Sequence, residues 1–281
     1  MRRGRIRVDA PEWCVLLCQA PTSSASAFHA MPHFYFEPTV TLLARPTFMM
    51  PAHLPVNWIG ESTDGERLAE FAGRVCYMSQ HNPAKRATRD YLDNIKKQGH
   101  GSVLEHANYT LLLEGVSRSL THELVRHRAG FAYSQLSQRY VDESEANFVV
   151  PPAVIGDTIL ESAWREQIEQ AQRAYVAMVE KLMERYGWIP DRVHRRKMAR
   201  EAARAVLPNA TETKIVVTAN ARAWRTMLEL RASEGAELEI RRAAIAMLRL
   251  LQCEAPGFFS DFEIYEADDR REAARVVYHK V

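Results

Sequence analysis

The run Arg126-His127-Arg128-Ala129-Gly130-Phe131-Ala132-Tyr133-Ser134-Gln135-Leu136-Ser137-Gln138-Arg139-Tyr140 is the densest concentration of chemistry-bearing side chains in the sequence. It holds three arginines, a histidine, two serines and two glutamines, and no carboxylate. A solvated helix face normally mixes in Glu and Lys, so uncompensated guanidinium groups point to an anionic ligand. The planar Arg fork matches phosphate, and hydroxyls with amides complete the shell. Gly130 lets the backbone bend or approach a ligand closely. The competing interpretation is an arginine-rich surface patch or subunit contact, because arginine is also enriched at interfaces.

Three more segments carry polar groups. In His100-Gly101-Ser102-Val103-Leu104-Glu105-His106, Ser102 is placed to cap a helix, with Glu105 completing a capping box. His100 and His106 have no third partner at metal-ligand spacing, so no metal site is expected. Glu201 to Thr213 includes Arg204 ahead of Pro208. In Asn220 to Arg231, helical spacing puts Arg222, Arg225 and Glu229 on one face and Trp224, Met227 and Leu228 on another. Arg231 would sit at the helix C-terminus, where its charge complements the dipole. Taken singly, each of these arginines also fits ordinary ion pairing.

Several chemistries are excluded. No GxGxxG, GxxxxGK[ST] or GxSxG occurs, which removes Rossmann, P-loop and nucleophile-elbow readings. Cys14, Cys18, Cys76 and Cys253 form no CxxC and lie outside the polar clusters. They read as buried or free thiols of a reducing compartment, and no cysteine nucleophile is expected. The 281 residues are 47 % hydrophobic and 26 % charged, with a net charge of +2. That composition excludes disordered, collagenous and disulfide-scaffold chains. The overall balance is not that of a polycation for nucleic acid. No apolar run reaches the roughly 18 residues of a membrane span.

The elements that must position these groups are legible from about residue 62. Leu68, Phe71, Ala72 and Val75 follow helical spacing, and Tyr91, Leu92 and Ile95 mark a second helix stopped near Gly99. Residues 107–113 and 213–218 read as strands. Ser117 to Arg128 reads as a helix capped by Ser117 or Ser119. Ile159 to Tyr186, Val193 to Leu207, Ala221 to Arg231 and Ala236 to Cys253 read as further helices, with Gly187 and Pro208 as stops. The expected fold is α/β (α+β): a single domain of long helices around a small, mostly antiparallel sheet. Residues 1–50 are set apart as an N-terminal extension, about the first 30 of them dispensable. Residues 51–270 form the domain and 271–281 a C-terminal tail.

Taken together, the polar segments resemble the flavin-dependent thymidylate synthase family. The resemblance rests on Arg126-His127-Arg128 followed by Ser137-Gln138-Arg139-Tyr140, and on the ordered blocks around it. These blocks are His100 to His106, Arg118 with Thr121-His122-Glu123-Leu124, Arg204 to Pro208, Asn220-x-Arg222 and Leu230-Arg231-Ala232. Similarity extends over about residues 64–265.

The resemblance implies methylation of dUMP to dTMP with carbon from 5,10-methylenetetrahydrofolate and reducing equivalents carried by FAD from NADPH. It also implies a cytoplasmic homotetramer with active sites shared between subunits, acting on neither nucleic acid nor membrane. For dUMP it points to Glu123, Leu124, Val125 and Arg126, to Gln135, Leu136, Ser137, Gln138 and Arg139, and to Arg204 and Arg231. Arg139 and Arg204 would grip the phosphate; Arg231 would be catalytic, stabilising a developing uracil anion. For FAD it points to Ser102, Arg126, His127, Arg128 and Gln135, and to Asn220, Ala221, Arg222 and Thr226. His100, Glu105 and Tyr77 are further flavin or folate neighbours. Gly235 stands where many relatives carry histidine, and Thr226 where they carry Asn or His. Two other functions remain open at this stage: an arginine-lined module for RNA or another polyanion, and a flavoprotein of this fold that has lost methyl transfer.

Overall fold

The computed structural model describes residues 32–79, 81, 86–279 and 281. The expected dispensable segment, with Cys14 and Cys18, lies outside them. The chain order is β1 (Phe34–Tyr35), β2 (Thr39–Ala44), α1 (Asp64–Cys76), α2 (Thr88–Lys97), a 3-10 turn (Gly101–His106), β3 (Asn108–Ser117), α3 (Arg118–Leu124), β4 (Phe131–Gln135) and β5 (Phe148–Val149). It continues through α4 (Thr158–Arg185), α5 (Arg192–Ala203), a 3-10 turn (Arg204–Val206), β6 (Glu212–Asn220), α6 (Ala221–Arg231), α7 (Leu238–Glu254), α8 (Pro256–Phe259), β7 (Phe262–Glu266) and β8 (Glu272–Val276).

The main sheet has four antiparallel strands in the order β2-β3-β6-β4. Alternation builds its inner face: Tyr109, Leu111 and Leu113 on β3 are buried beside Ile215, Val217 and Ala219 on β6, with Leu111 opposite Val217 and Leu113 opposite Ile215. Helices α6 and α7 cover this face. Trp224, Met227 and Leu228 of α6 are wholly buried, and Trp224 donates its indole N–H to the Tyr109 carbonyl at 3.3 Å. Truncating such a core aromatic to alanine costs about 3–5 kcal/mol. The architecture is the expected mixture of helices and small, mostly antiparallel sheets; among the described residues only the short β1–β5 pair is parallel.

Packing extends beyond residues 51–270 in both directions. Strand β2, within the stretch set apart as an extension, pairs with β3. Strand β8, within the stretch set apart as a tail, pairs with β7. The C-terminus is anchored by Arg225, which is buried. It donates to the carbonyls of Tyr278 and Val281 and to both Asp261 carboxylate oxygens at 2.6 and 2.9 Å. Burial alone would push the Asp261 carboxyl up, yet Arg225 and Lys96 hold it below its ordinary value.

Three local expectations are corrected. Helix α1 forms where the apolar spacing indicates, but it buries the opposite face: Gly65, Glu66, Ala69, Glu70, Gly73 and Arg74. Each charged side chain on that face has a partner. Arg74 binds Glu70 at 2.6 Å, and Glu66 accepts from the N–H groups of Thr63 and Gly257. The capping box thus falls at Thr63 and Glu66; the turn at Gly101–His106 has no side-chain cap. Helix α3, capped by Ser117 as one alternative had it, stops at Leu124 instead of Arg128. The Tyr133 hydroxyl donates to the carbonyls of Leu124 and His127, and the chain turns at Gly130 into β4.

Candidate active site

A cavity of 430 Å³ opens beside the N-terminus of α6. One wall is the turn from His127 to Phe131, and the other is Asn220, Arg222, Ala223 and Thr226, with Glu105 at the rim. The first turn of α6 is capped by Asn220, whose side-chain oxygen accepts from Ala223 N–H at 2.9 Å. Gly130 has φ +76°, and a Cβ there would lie 2.8 Å from Asn220 Nδ2 and 2.9 Å from the Ala223 Cβ. Only glycine therefore permits this close approach of turn and helix. At Gly101 an added Cβ would meet Arg222 Nε at 3.0 Å, so a second glycine makes room for the Arg222 side chain.

Arg222 and Glu105 form an ion pair at 2.6 Å; Glu105 serves this arginine instead of a capping box. The Thr226 hydroxyl donates to the Arg222 carbonyl at 3.1 Å, which commits its hydrogen to the helix. At the far end of α6, Arg231 donates from one guanidinium nitrogen to Glu123 at 2.7 Å and from Nε to His127 Nε2 at 2.9 Å. Burial, reinforced by the Arg231 charge, pushes the His127 imidazolium pKa down. His127 lines the cavity, so Arg231 and Glu123 are linked to it through this ring.

A second polar cluster forms around the opposite ends of β4 and α3. Arg139 pairs with Glu201 at 2.9 Å, and Arg204 opens the 3-10 turn after α5. Gln138 is buried with its amide beside the Glu143 carboxyl, and one terminal nitrogen of Arg118 is buried with no hydrogen-bond partner among the described residues. Burial, opposed by Glu143 and aided by Arg204, draws the Arg118 pKa down. Glu143 is pushed up to about 7, chiefly by burial and against the pull of Arg118. Arg118 and Glu143 were not singled out as site residues. Glu143 sits three positions after Tyr140, just beyond the arginine-rich run, and only its burial marks it.

The expectation of uncompensated arginines is corrected for one member of the run: Arg139 pairs with Glu201, while among the described residues no ion pair reaches Arg126 or Arg128. Outside the run, Glu105 and Glu123 pair with Arg222 and Arg231. Of the residues expected around FAD, His127, Arg128, Asn220, Arg222 and Thr226 line the cavity together with Glu105. Ala221 is wholly buried, so its side chain faces the core. Gln135 turns its amide to Thr121 and Thr213 at 3.1 and 3.4 Å. Ser102, His100, Tyr77 and Arg126 are exposed and do not line this cavity. For the nucleotide, Leu124 is buried in the core and offers no side chain, while Val125 is exposed. The amide N–H of Leu136 donates to the Lys214 carbonyl, and the Ser137 carbonyl accepts from Tyr140 and Val141.

The donor set fits a flavin dinucleotide. Arg128 and Arg222 suit a pyrophosphate, the start of α6 adds a favourable dipole, and the Gly130 cradle would be filled by any larger residue. Among the described residues, no cluster of His, Cys, Asp or Glu could hold a metal ion.

A family model described as thymidylate synthase complementing protein matches residues 59–257. The flavin-dependent thymidylate synthase of Mycobacteroides abscessus is 49 % identical over 237 residues, covering 84 % of this chain and 94 % of that protein. The enzyme of that name from Mycobacterium sp. (strain JLS) is 49 % identical over 241 residues, with the same coverage. The one from Mycobacterium tuberculosis is 48 % identical over 237 residues, again with the same coverage. With a family match that spans strands β3, β4 and β6, the cavity and both arginine clusters, and relatives this similar over 84 % of its length, the chain belongs to the family of flavin-dependent thymidylate synthases.

Proposed function

We propose that the two polar clusters are halves of one dUMP site, completed between copies of this chain in a homotetramer. The enzyme converts dUMP to dTMP, with 5,10-methylenetetrahydrofolate as carbon donor and NADPH as reductant. FAD, when bound, supplies the reducing equivalents. His127, Arg128, Asn220 and Arg222 hold it, with Thr226 beside them.

Arg139 and Arg204 grip the nucleotide phosphate, helped by the Ser137 hydroxyl and by the chain at Gln138. Arg231 faces the uracil. C5 of uracil is a weak nucleophile, and electron density reaches it when the N3 proton is weakened. A guanidinium aimed at the ring stabilises the anionic form; one preorganised donor of this kind is worth roughly 3–4 kcal/mol. Glu123 and His127 fix the guanidinium from behind. Because His127 is held neutral, Arg231 keeps the positive charge at that end of the site.

The sharing between copies is supported by distance. The uracil-side residues sit at the start of β4 and the phosphate-side residues follow its end. Five residues of strand extend roughly 17 Å. A nucleotide met by both sets is therefore held by the phosphate end of one chain and the ring end of another. An exposed thiol at Cys76 suits a reducing compartment and supports a cytoplasmic location.

The observation that carries this reading is the Glu123–Arg231–His127 contact beside a glycine-cradled, arginine-lined cavity. It is tested by the visible absorption of the purified chain and by NADPH oxidation measured with and without dUMP. A yellow protein that oxidises NADPH and forms dTMP only with dUMP supports it. A colourless protein whose RNA affinity falls steeply with salt would replace it with the polyanion-binding reading.

A further inference from the structure

A larger cavity, 680 Å³, lies elsewhere on the molecule and shares no lining residue with the cavity beside α6. Its floor is one face of α7, where Arg242, Ile245, Ala246 and Arg249 recur at helical spacing. Its rim is the tip of the β7–β8 hairpin, which contributes Arg270 and Arg271. Pro38, Pro152 and Ile155 close the apolar side.

The charges do not balance. Four arginines line the space with only two carboxylates, Glu37 and Glu272, which contact Arg242 and Arg249 respectively. Asp269, at the hairpin tip, is committed to Arg241. Among the described residues, no ion pair reaches the side chains of Arg270 or Arg271. Burial and the neighbouring Arg271 charge lower the Arg242 pKa despite its contact with Glu37. Arg242 and Arg249 are thus each paired, Asp269 acts on Arg271 as well as on Arg241, and positive charge is left over at Arg270 and Arg271.

The backbone adds an independent mark. Arg270 has φ +57°, in the left-handed region that a non-glycine residue rarely adopts. The turn is closed by Arg270 N–H to Ala267 carbonyl and by Ala267 N–H to Arg271 carbonyl, both at 2.9 Å. An arginine is kept where glycine would be relaxed, and it stands at the mouth of the cavity. Strain of this kind concentrates at ligand clamps.

We propose that this cavity binds a phosphorylated small molecule of nucleotide size, separately from the dUMP and FAD sites. Arg270 and Arg271, which no ion pair engages among the described residues, hold the phosphates, with Arg242 beside them. Ile155, Ile245 and Pro38 provide an apolar wall for the organic body. The volume lies inside the range of about 300–1,000 Å³ usual for small-molecule pockets.

The test is equilibrium binding to the full-length, FAD-loaded protein with dUMP at saturation, so that the nucleotide site is filled. The probes are thymidine triphosphate and inorganic tripolyphosphate. One additional equivalent of thymidine triphosphate per chain is expected, binding at least tenfold more tightly than tripolyphosphate. The double variant Arg270→Glu/Arg271→Glu, on an exposed hairpin tip, should weaken it at least tenfold and leave the KM for dUMP unchanged. Equal affinity for the two probes overturns the nucleotide-sized ligand. No extra equivalent, or the same affinity in the double variant, overturns the site itself. So does a smaller assembly of the double variant in sedimentation velocity without ligand, because the cavity would then be a seam between copies. The readout is binding and not turnover, so it stands or falls independently of the proposed reaction.

Discussion

Arg231 donates its Nε hydrogen to His127 Nε2 at 2.9 Å, which requires a lone pair there and fixes the imidazole as the neutral Nδ1–H form. Burial and the Arg231 charge act in the same direction on the ring. Arg231→Ala removes one of these influences, so the His127 pKa should rise, measured by NMR titration of the ring protons. The linkage has a definite sign. A histidine depressed in the folded state costs stability as pH falls below its ordinary value of about 6.5, because the unfolded chain takes up the proton first. The variant should lose less stability on acidification than the parent. An unchanged titration would mean that the contact does not set the tautomer.

The two arginine clusters should separate in steady-state kinetics. Arg231→Ala removes a charge that acts on the developing uracil anion, so kcat should drop by about 100- to 1,000-fold with a smaller change in the KM for dUMP. Arg204→Ala removes a phosphate contact and should raise KM well before it lowers kcat. Identical profiles for the two variants would contradict the division between ring and phosphate ends.

The sequence made the elements legible more readily than their environment. Strand β6 and helix α6 follow from β-branched and apolar spacing, and both form as that spacing indicates. Helix α1 also forms, but apolar spacing misassigns its buried face, because Glu70 and Arg74 neutralise each other only once folded. The same limit applies to the site. The Arg126–Tyr140 run announces an anion site, yet its neighbouring arginines meet carboxylates that lie up to 117 residues away in sequence, as for Arg222 and Glu105. Long-range pairing of this kind leaves no local pattern. Glu143 was missed for that reason, since nothing in the letters distinguishes a buried carboxyl from a solvated one.

Glu143 should make the protein sensitive to neutral pH. Its folded pKa is raised to about 7, chiefly by burial, from an ordinary value near 4.5. A raised carboxyl contributes stability that is fully present below its unfolded pKa and is lost as pH climbs through the folded one. Across pH 4.5 to 7 the loss is on the order of 3 kcal/mol, given 1.36 kcal/mol per unit. Urea midpoints should fall over that window in the parent and stay flatter in Glu143→Gln, which keeps the shape and cannot ionise. Parallel curves for the two proteins would show that the carboxyl does not titrate there.

Two glycines should respond in opposite ways to an added side chain. At Gly130 a Cβ collides with Asn220 Nδ2 and the Ala223 Cβ, and φ of +76° disfavours any L side chain. Gly130→Ala must push the turn away from α6, disturbing the Asn220 cap together with the wall of the flavin cavity. A cost of about 1–3 kcal/mol is expected, with loss of yellow colour on desalting. At Gly235 nothing lies within 4 Å of the added carbon, so a side chain can leave the backbone there without a clash at its first atom. Gly235→His should fold with the parent's Tm and change the turnover rate only modestly. If turnover appears only in Gly235→His, then Arg231 and the phosphate arginines are insufficient without an imidazole at that position.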